Sequence, residues 1–381
     1  MKKRLAHVFL LFSLAAPLAL LAAPSAAAEI PKIIIDADYN TLSDDGQLGV
    51  MAAQLQAEGK IEVMGISVVS GNKWLKQGVA EALKSVERLG VEKKIGIYSG
   101  ANYALSHDFA TIKKELALKP SGDGYLGAWN VPEPKSANAL QAPPDGFATH
   151  TKLQKKSAVE FISDTVKKYP HQITILAVGP VTNLAQAVTR HPEIVPLIKQ
   201  IIYMGGAVNV AGNTTATAEF NWWFDPEAAY IMLRQPIAQV IIPLDVTNTV
   251  LLTKPNYDRI AHDPAKQTII TQLFKQLNGY GYHGIGFEND PNASTNIWDT
   301  LTIAYLMDPA YATEVVDEWV DVQKKGADAG LSIGYRDAAP PGSGLQKVTV
   351  VKRFDNARFF AWYVDLLTRP VPVRVCDGCA R

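Results

Sequence analysis

Residues Ile33-Ile34-Ile35-Asp36-Ala37-Asp38-Tyr39-Asn40-Thr41-Leu42-Ser43-Asp44-Asp45-Gly46 decide the reading of this chain. Unbroken β-branched residues without polar alternation mark a strand buried on both faces. Ser43, Asp44 and Asp45 then open a helix-like stretch over residues 44–56, with the polar and acidic residues that favour a helix N-terminus. A buried strand running through a short turn into a helix is the first half of a βαβ unit.

The same rhythm continues outward. Strands are expected at residues 32–36, 61–69, 94–98, 173–178, 200–204 and 239–244, with helices at 44–56, 74–89, 156–168, 183–189 and 225–233. This order predicts an α/β fold with a doubly wound, Rossmann-like, mostly parallel central sheet. In such sheets ligands bind at the carboxyl ends of the strands, so residues just past each strand are the first suspects. Residues 101–154 break the rhythm, being rich in Pro, Gly and Ala without a strong period, and suggest a mobile functional loop or a lid. Extra helices follow Thr253, then a small β-ribbon over residues 314–355 and a closing helix at 357–367.

Residues 1–28 read as a secretory signal: Lys2-Lys3-Arg4, an apolar run from Val8 to Ala22, and the small residues Ala26-Ala27-Ala28 before Glu29. Cleavage after Ala28 is expected, leaving one domain over 29–370 and a tail over 371–381, in the periplasm or outside the cell. The run is short for a membrane span and contains Pro17, so no stable membrane insertion is expected. The formal charge is zero, and no basic stripe of the kind that tracks nucleic acid is visible, which favours a small-molecule partner. The only cysteines, Cys376 and Cys379, lie in the tail, where a local disulfide is plausible in an oxidising compartment.

Asp36, Asp38, Asp44 and Asp45 straddle a strand end and a helix start. Crowded carboxylates repel, and each then tends to keep its proton. A hard divalent cation removes the conflict, and calcium takes six to eight oxygen ligands of this kind. Helix capping alone would account for Asp44 or Asp45, but not for Asp36 and Asp38. A cation here would acidify a water and hold it against an electrophilic carbon, with Asp38 as the general base.

The pattern resembles the inosine–uridine preferring nucleoside hydrolase family, whose chains open with Asp-x-Asp…Asp-Asp after the first strand. The spacer before Asp44-Asp45 is slightly longer here. Further matching blocks are Gly65 to Asn72, Leu176 to Asn183, Met204-Gly205-Gly206-Ala207, Gly212-Asn213, Ala218-Glu219-Phe220-Asn221, Asp225-Pro226-Glu227-Ala228, Pro243 to Thr247, and Trp298-Asp299. The resemblance implies a nucleoside hydrolase fold and a calcium ion held by Asp38, Asp45, Asp299 and the backbone carbonyl of Val178. It assigns Asp38 as base, and Asp44, Asn72, Asn213, Glu219 and Asn221 to the ribose hydroxyls, with Asn40 assisting. Asp36 would support the loop. No organic cofactor is implied, and relatives are often homodimers or homotetramers. On the residues alone, a turn is the better reading of Asn213, which follows Gly212, and Glu219 and Asn221 could be surface groups of a loop before the Asp225 helix.

Common members carry His before the last metal-binding Asp, whereas this chain has Trp298. That departure resembles the purine-preferring (inosine–adenosine–guanosine) branch, in which an indole stacks on the base. A purine offers a larger face for such stacking. Tyr125, Trp129 or Trp74 could cover the base's other face, and His283 is the possible acid. The alternative for Trp298 is plain core packing at a helix start. The function expected is hydrolysis of purine ribonucleosides to ribose and free base. The alternatives are a hydrolase of broad or pyrimidine preference and a non-catalytic exported nucleoside- or ribose-binding protein.

Overall fold

The expected first strand is β1, Lys32–Ala37, with Ile33, Ile34 and Ile35 essentially inaccessible. Its pleat sends Ile33 and Ile35 into one apolar layer and Ile34 into the other, so both faces of the sheet are covered. Burying each such side chain contributes about 1.5–3 kcal/mol, which fixes the strand at the centre of the core. The computed structural model describes residues 29–118, 124–280 and 286–374. The expected signal segment, His283, Cys376 and Cys379 lie outside those residues.

The further strands are β2 Glu62–Val68, β3 Ile97–Ser99, β4 Ile173–Ala177, β5 Gln200–Met204, β6 Gln239–Ile242, β7 Leu251–Thr253, β8 Ser294–Asn296, β9 Ala312–Val322, β10 Ser332–Tyr335 and β11 Lys347–Phe354. Nine of them form one sheet in the order β10-β9-β11-β6-β5-β4-β1-β2-β3. All pairings from β3 through to β11 are parallel. The helices Asp44–Ala57, Leu75–Leu89 and Asn356–Leu367 pack into the first layer, and Ala158–Lys168, Thr182–Arg190 and Pro226–Met232 into the second. The doubly wound, mostly parallel fold is therefore as expected. β1 is flanked by β2 on one side and β4 on the other, so the winding reverses there and a crevice opens at their carboxyl ends.

Two expectations are corrected. The strand expected at 94–98 begins only at Ile97, because Lys94 and Ile95 both donate to the Val91 carbonyl and form a turn. The region 314–355 is not a separate ribbon. β9 and β10 add antiparallel strands to the main sheet through β11, which pairs in parallel with β6. The apolar faces of Val320, Val322, Val348 and Val350 demand this, since all four are buried in the second layer. A separate two-stranded piece does exist, but it joins β7 to β8.

Residues 101–154, expected as a mobile functional loop or a lid, carry local structure. Their described part holds the helix Phe109–Leu118 and the single turns Gly127–Asn130 and Ala137–Ala139. Trp74 Nε1 donates to the Val131 carbonyl at 2.9 Å, and Arg88 is paired with Asp145 at 2.7 Å. Glu87 accepts the backbone amides of Thr149, His150 and Thr151, which holds its carboxyl well below the usual range despite the opposing effect of desolvation. The segment is thus a packed cover clamped to the helix Leu75–Leu89. Among the described residues no helix is long and apolar enough to cross a membrane.

Candidate active site

The crevice at the winding reversal contains a cavity of about 240 Å³. Asp38, Asn40, Asp44, Asn72, Val178, Asn213, Glu219, Asn221, Trp298 and Asp299 all line it. Asp45 lies directly behind and reaches the group through Asn72. Every expected site residue except His283, outside the described residues, is therefore gathered in one place. Residues drawn from six separate stretches of chain meet there, most of them just past a strand end or at a helix start, and Asn213 from the loop between β5 and the helix Phe220–Phe224.

Asp38 is the first residue after β1 and is buried. Its Oδ2 accepts the Asn72 backbone amide at 2.6 Å, and the Asn72 side chain donates to Asp45 Oδ2 at 3.1 Å. Asp44, Asp45 and Asp299 each bring a carboxylate oxygen within 4.8 Å of the other two. The tightest trio thus includes Asp44, which the resemblance assigns to the sugar, while Asp38 is drawn to the Asn72 amide beside it. Asp299 sits at the N-cap of the helix Thr300–Met307 yet makes no capping hydrogen bond, so capping does not explain its position.

Burial dominates the electrostatics. It pushes the Asp38 carboxyl up to about 8, with the Asp44 and Glu219 charges adding to the rise. Asp44 is raised to about 6, again chiefly by burial. Asp45 and Asp299 are both held well above the usual carboxylate range by burial and by their acidic neighbours. Asp45 Oδ1 is buried without a hydrogen-bond partner. Clustered carboxylates, an orphaned oxygen and a nearby carbonyl are all hard donors, and this set fits a divalent cation. Val178 O accepts the Asn221 side chain at 3.0 Å and retains a second lone pair for such an ion.

Of the groups that the resemblance assigns to the ribose beside Asp44 and Asn72, Glu219 and Asn221 are buried and not surface residues, whereas Asn213 is exposed. Glu219 is buried, caps the short helix Phe220–Phe224, and accepts the amides of Gly206, Asn221 and Trp222. Burial outweighs these bonds and lifts it to about 7. Asn221 also donates to the Met204 carbonyl at 3.1 Å, and Asn213 Oδ1 accepts the Phe220 amide at 2.9 Å. Asp36 lies behind the site, where Ser67 and Asn183 donate to its Oδ1 at 2.5 and 2.8 Å, in keeping with a role in supporting the loop.

Trp298 is half-buried: it rests on the first apolar layer and also lines the cavity, so it is not a simple core residue. Trp74 and Trp129 do not line the cavity. They meet edge to face at 4.9 Å in a third cluster, against Phe224 and Trp223, so neither covers a bound base. Tyr125 does line the cavity and donates its hydroxyl to Asn72 Oδ1 at 2.9 Å. Ser43, Met204 and Phe220 complete the lining: Ser43 reads from sequence only as a helix start, and Met204 and Phe220 only as members of the matching blocks.

Comparison with known proteins agrees with this geometry. The sequence profile of the family described as inosine-uridine preferring nucleoside hydrolase matches residues 33–361. A pyrimidine-specific ribonucleoside hydrolase, RihB, of Escherichia coli is 31% identical over 278 residues, covering 73% of this chain and 79% of its own. A probable uridine nucleosidase of Arabidopsis thaliana is 30% identical, covering 80% and 86%. Among solved structures, the purine-preferring ribonucleoside hydrolase of Gardnerella vaginalis superposes with a TM-score of 0.70 at 25% identity, covering 88% of this chain and 98% of that one. A plant nucleoside hydrolase reaches 0.73 at 22% identity, covering 90% and 100%, and shares the fold. With its blocks in order and their residues converging on one crevice, this chain belongs to the inosine-uridine preferring nucleoside hydrolase family.

Proposed function

We propose that this protein hydrolyses the N-glycosidic bond of ribonucleosides, purine ones preferred, to ribose and free base, with calcium as its metal. The observation that carries the reading is the meeting of Asp38, Asp44, Asp45 and Asp299 in one buried crevice beside the Trp298 indole. A binding protein has no need of so costly a carboxylate cluster.

Calcium would be held by Asp38, Asp45, Asp299 and the Val178 carbonyl, with Asp44 alongside, and when bound it supplies the charge that acidifies water and offsets the carboxylates. Asp38, ionised under that charge and fixed by the Asn72 amide, takes the proton of the attacking water. Asp44, Asn72, Asn213, Glu219 and Asn221, assisted by Asn40, bond the ribose hydroxyls. Those bonds strengthen as the sugar becomes oxocarbenium-like. Trp298 stacks on the base and eases its protonation as it leaves.

A pyrimidine preference is the second reading, favoured by the names of the Escherichia coli and Arabidopsis thaliana relatives. Ribose release from inosine, adenosine, guanosine, uridine and cytidine separates the two. Inosine is expected to be cleaved faster than uridine, and the reverse order would remove the purine assignment. We further propose that the protein acts outside the cytoplasm after loss of residues 1–28, as a homodimer or homotetramer.

A further inference from the structure

Asn72 is engaged through three polar atoms. Its backbone amide donates to Asp38, its side-chain nitrogen to Asp45, and its Oδ1 accepts from Tyr125. The first two bonds bridge carboxylates that would otherwise repel. The third comes from the cover segment, 53 residues further along the chain, and decides where the carboxamide sits. The tyrosine is itself anchored: its carbonyl accepts the Thr214 hydroxyl, and its ring lies 5.0 Å from that of Phe220. A second path ties the same cover to the acidic turn. Gln141 and Gln77 exchange two hydrogen bonds, Gln77 donates to Glu81, and Glu81 accepts both the amide and the hydroxyl of Thr41.

We propose that Tyr125 is a positioning residue: by donating to Asn72 Oδ1 it holds the carboxamide that donates to Asp45, on the residue whose backbone amide holds Asp38, and so sets how tightly these carboxylates take a divalent cation. The inference rests on the reading of Asp38 and Asp45 as cation-binding groups. It makes the cover segment part of the catalytic machinery and not only a wall of the pocket.

The test is calorimetric titration of calcium chloride into chelator-stripped full-length protein, wild type and Tyr125→Phe. Tyr125 is 47% exposed and belongs to none of the apolar clusters, so loss of its hydroxyl leaves the core intact. Loss of one neutral hydrogen bond is expected to weaken calcium binding about three- to tenfold, with the melting temperature in chelator unchanged. In an Asn72→Ala background the same change is expected to add nothing, because the effect runs through Asn72. Unchanged calcium affinity with a raised KM would make Tyr125 a pocket wall and overturn the proposal, as would an equal loss in the Asn72→Ala background. If wild type took up no calcium, the cation reading itself would fall, an outcome distinct from either.

Discussion

Gly71 passes so close to Asp38 that a Cβ at position 71 would stand 2.1 Å from Asp38 Oδ2. The neighbouring backbone cannot easily give way, since the Gly71 carbonyl accepts the Ala128 amide at 2.7 Å. Gly71→Ala is therefore expected to push Asp38 out of place and lower kcat at least tenfold. Activity and calcium binding measured on the same sample check this, and wild-type values for both would refute the close approach.

Replacing Asp38 by Asn preserves shape and removes the base. A positioned general base contributes about 10²–10⁴-fold, so with calcium at saturation, which offsets the weakened ligand at position 38, kcat should fall by about that amount in a folded protein. Steady-state kinetics with circular dichroism make the check. Near-normal turnover would transfer the role to another group.

Trp298→Ala tests the base assignment. Aromatic stacking beyond simple burial is worth about 0.5–1.5 kcal/mol, which converts to about a three- to tenfold loss in kcat/KM. That loss is expected for inosine and guanosine, and a smaller one for uridine. Equal losses for all substrates would show that the indole serves the pocket's shape and not purine recognition.

The raised carboxyls give the stability of the metal-free protein a definite pH dependence. Burial lifts Asp44 to about 6 and Asp38 to about 8. In the unfolded chain these groups ionise near ~3.9, so above that pH the folded state binds more protons than the unfolded one. Stability present below about pH 4 is then lost as pH rises towards about 8. Calcium needs the ionised forms, so its stabilisation grows over the same window. Thermal melts with chelator and with calcium chloride should diverge from about pH 5 to pH 8, and a constant gap would contradict the assignment.

Much of this was legible in the sequence, for physical reasons. Ile33-Ile34-Ile35, short and wholly β-branched, reads as a strand buried on both sides, and the carboxylates after it mark the strand end where parallel sheets bind ligands. Asn72, Asn213 and Asn221 were legible only through resemblance, because an isolated Asn is more often a turn residue than a ligand. Strands β9 and β11 were misplaced because short polar alternation reads as a solvated ribbon, and only the burial of Val320 and Val350 reveals the main sheet beside them. The Tyr125–Asn72 bond left no local trace at all, since its partners lie on different loops and have no periodic relation.

The central claim is that a cation gathered by Asp38, Asp44, Asp45 and Asp299 is required for the reaction. Its most direct test is ribose release from inosine by purified protein before stripping, after exhaustive chelation, and after calcium is restored. The account predicts activity, its loss, and its return. Undiminished ribose release from the stripped protein would contradict it.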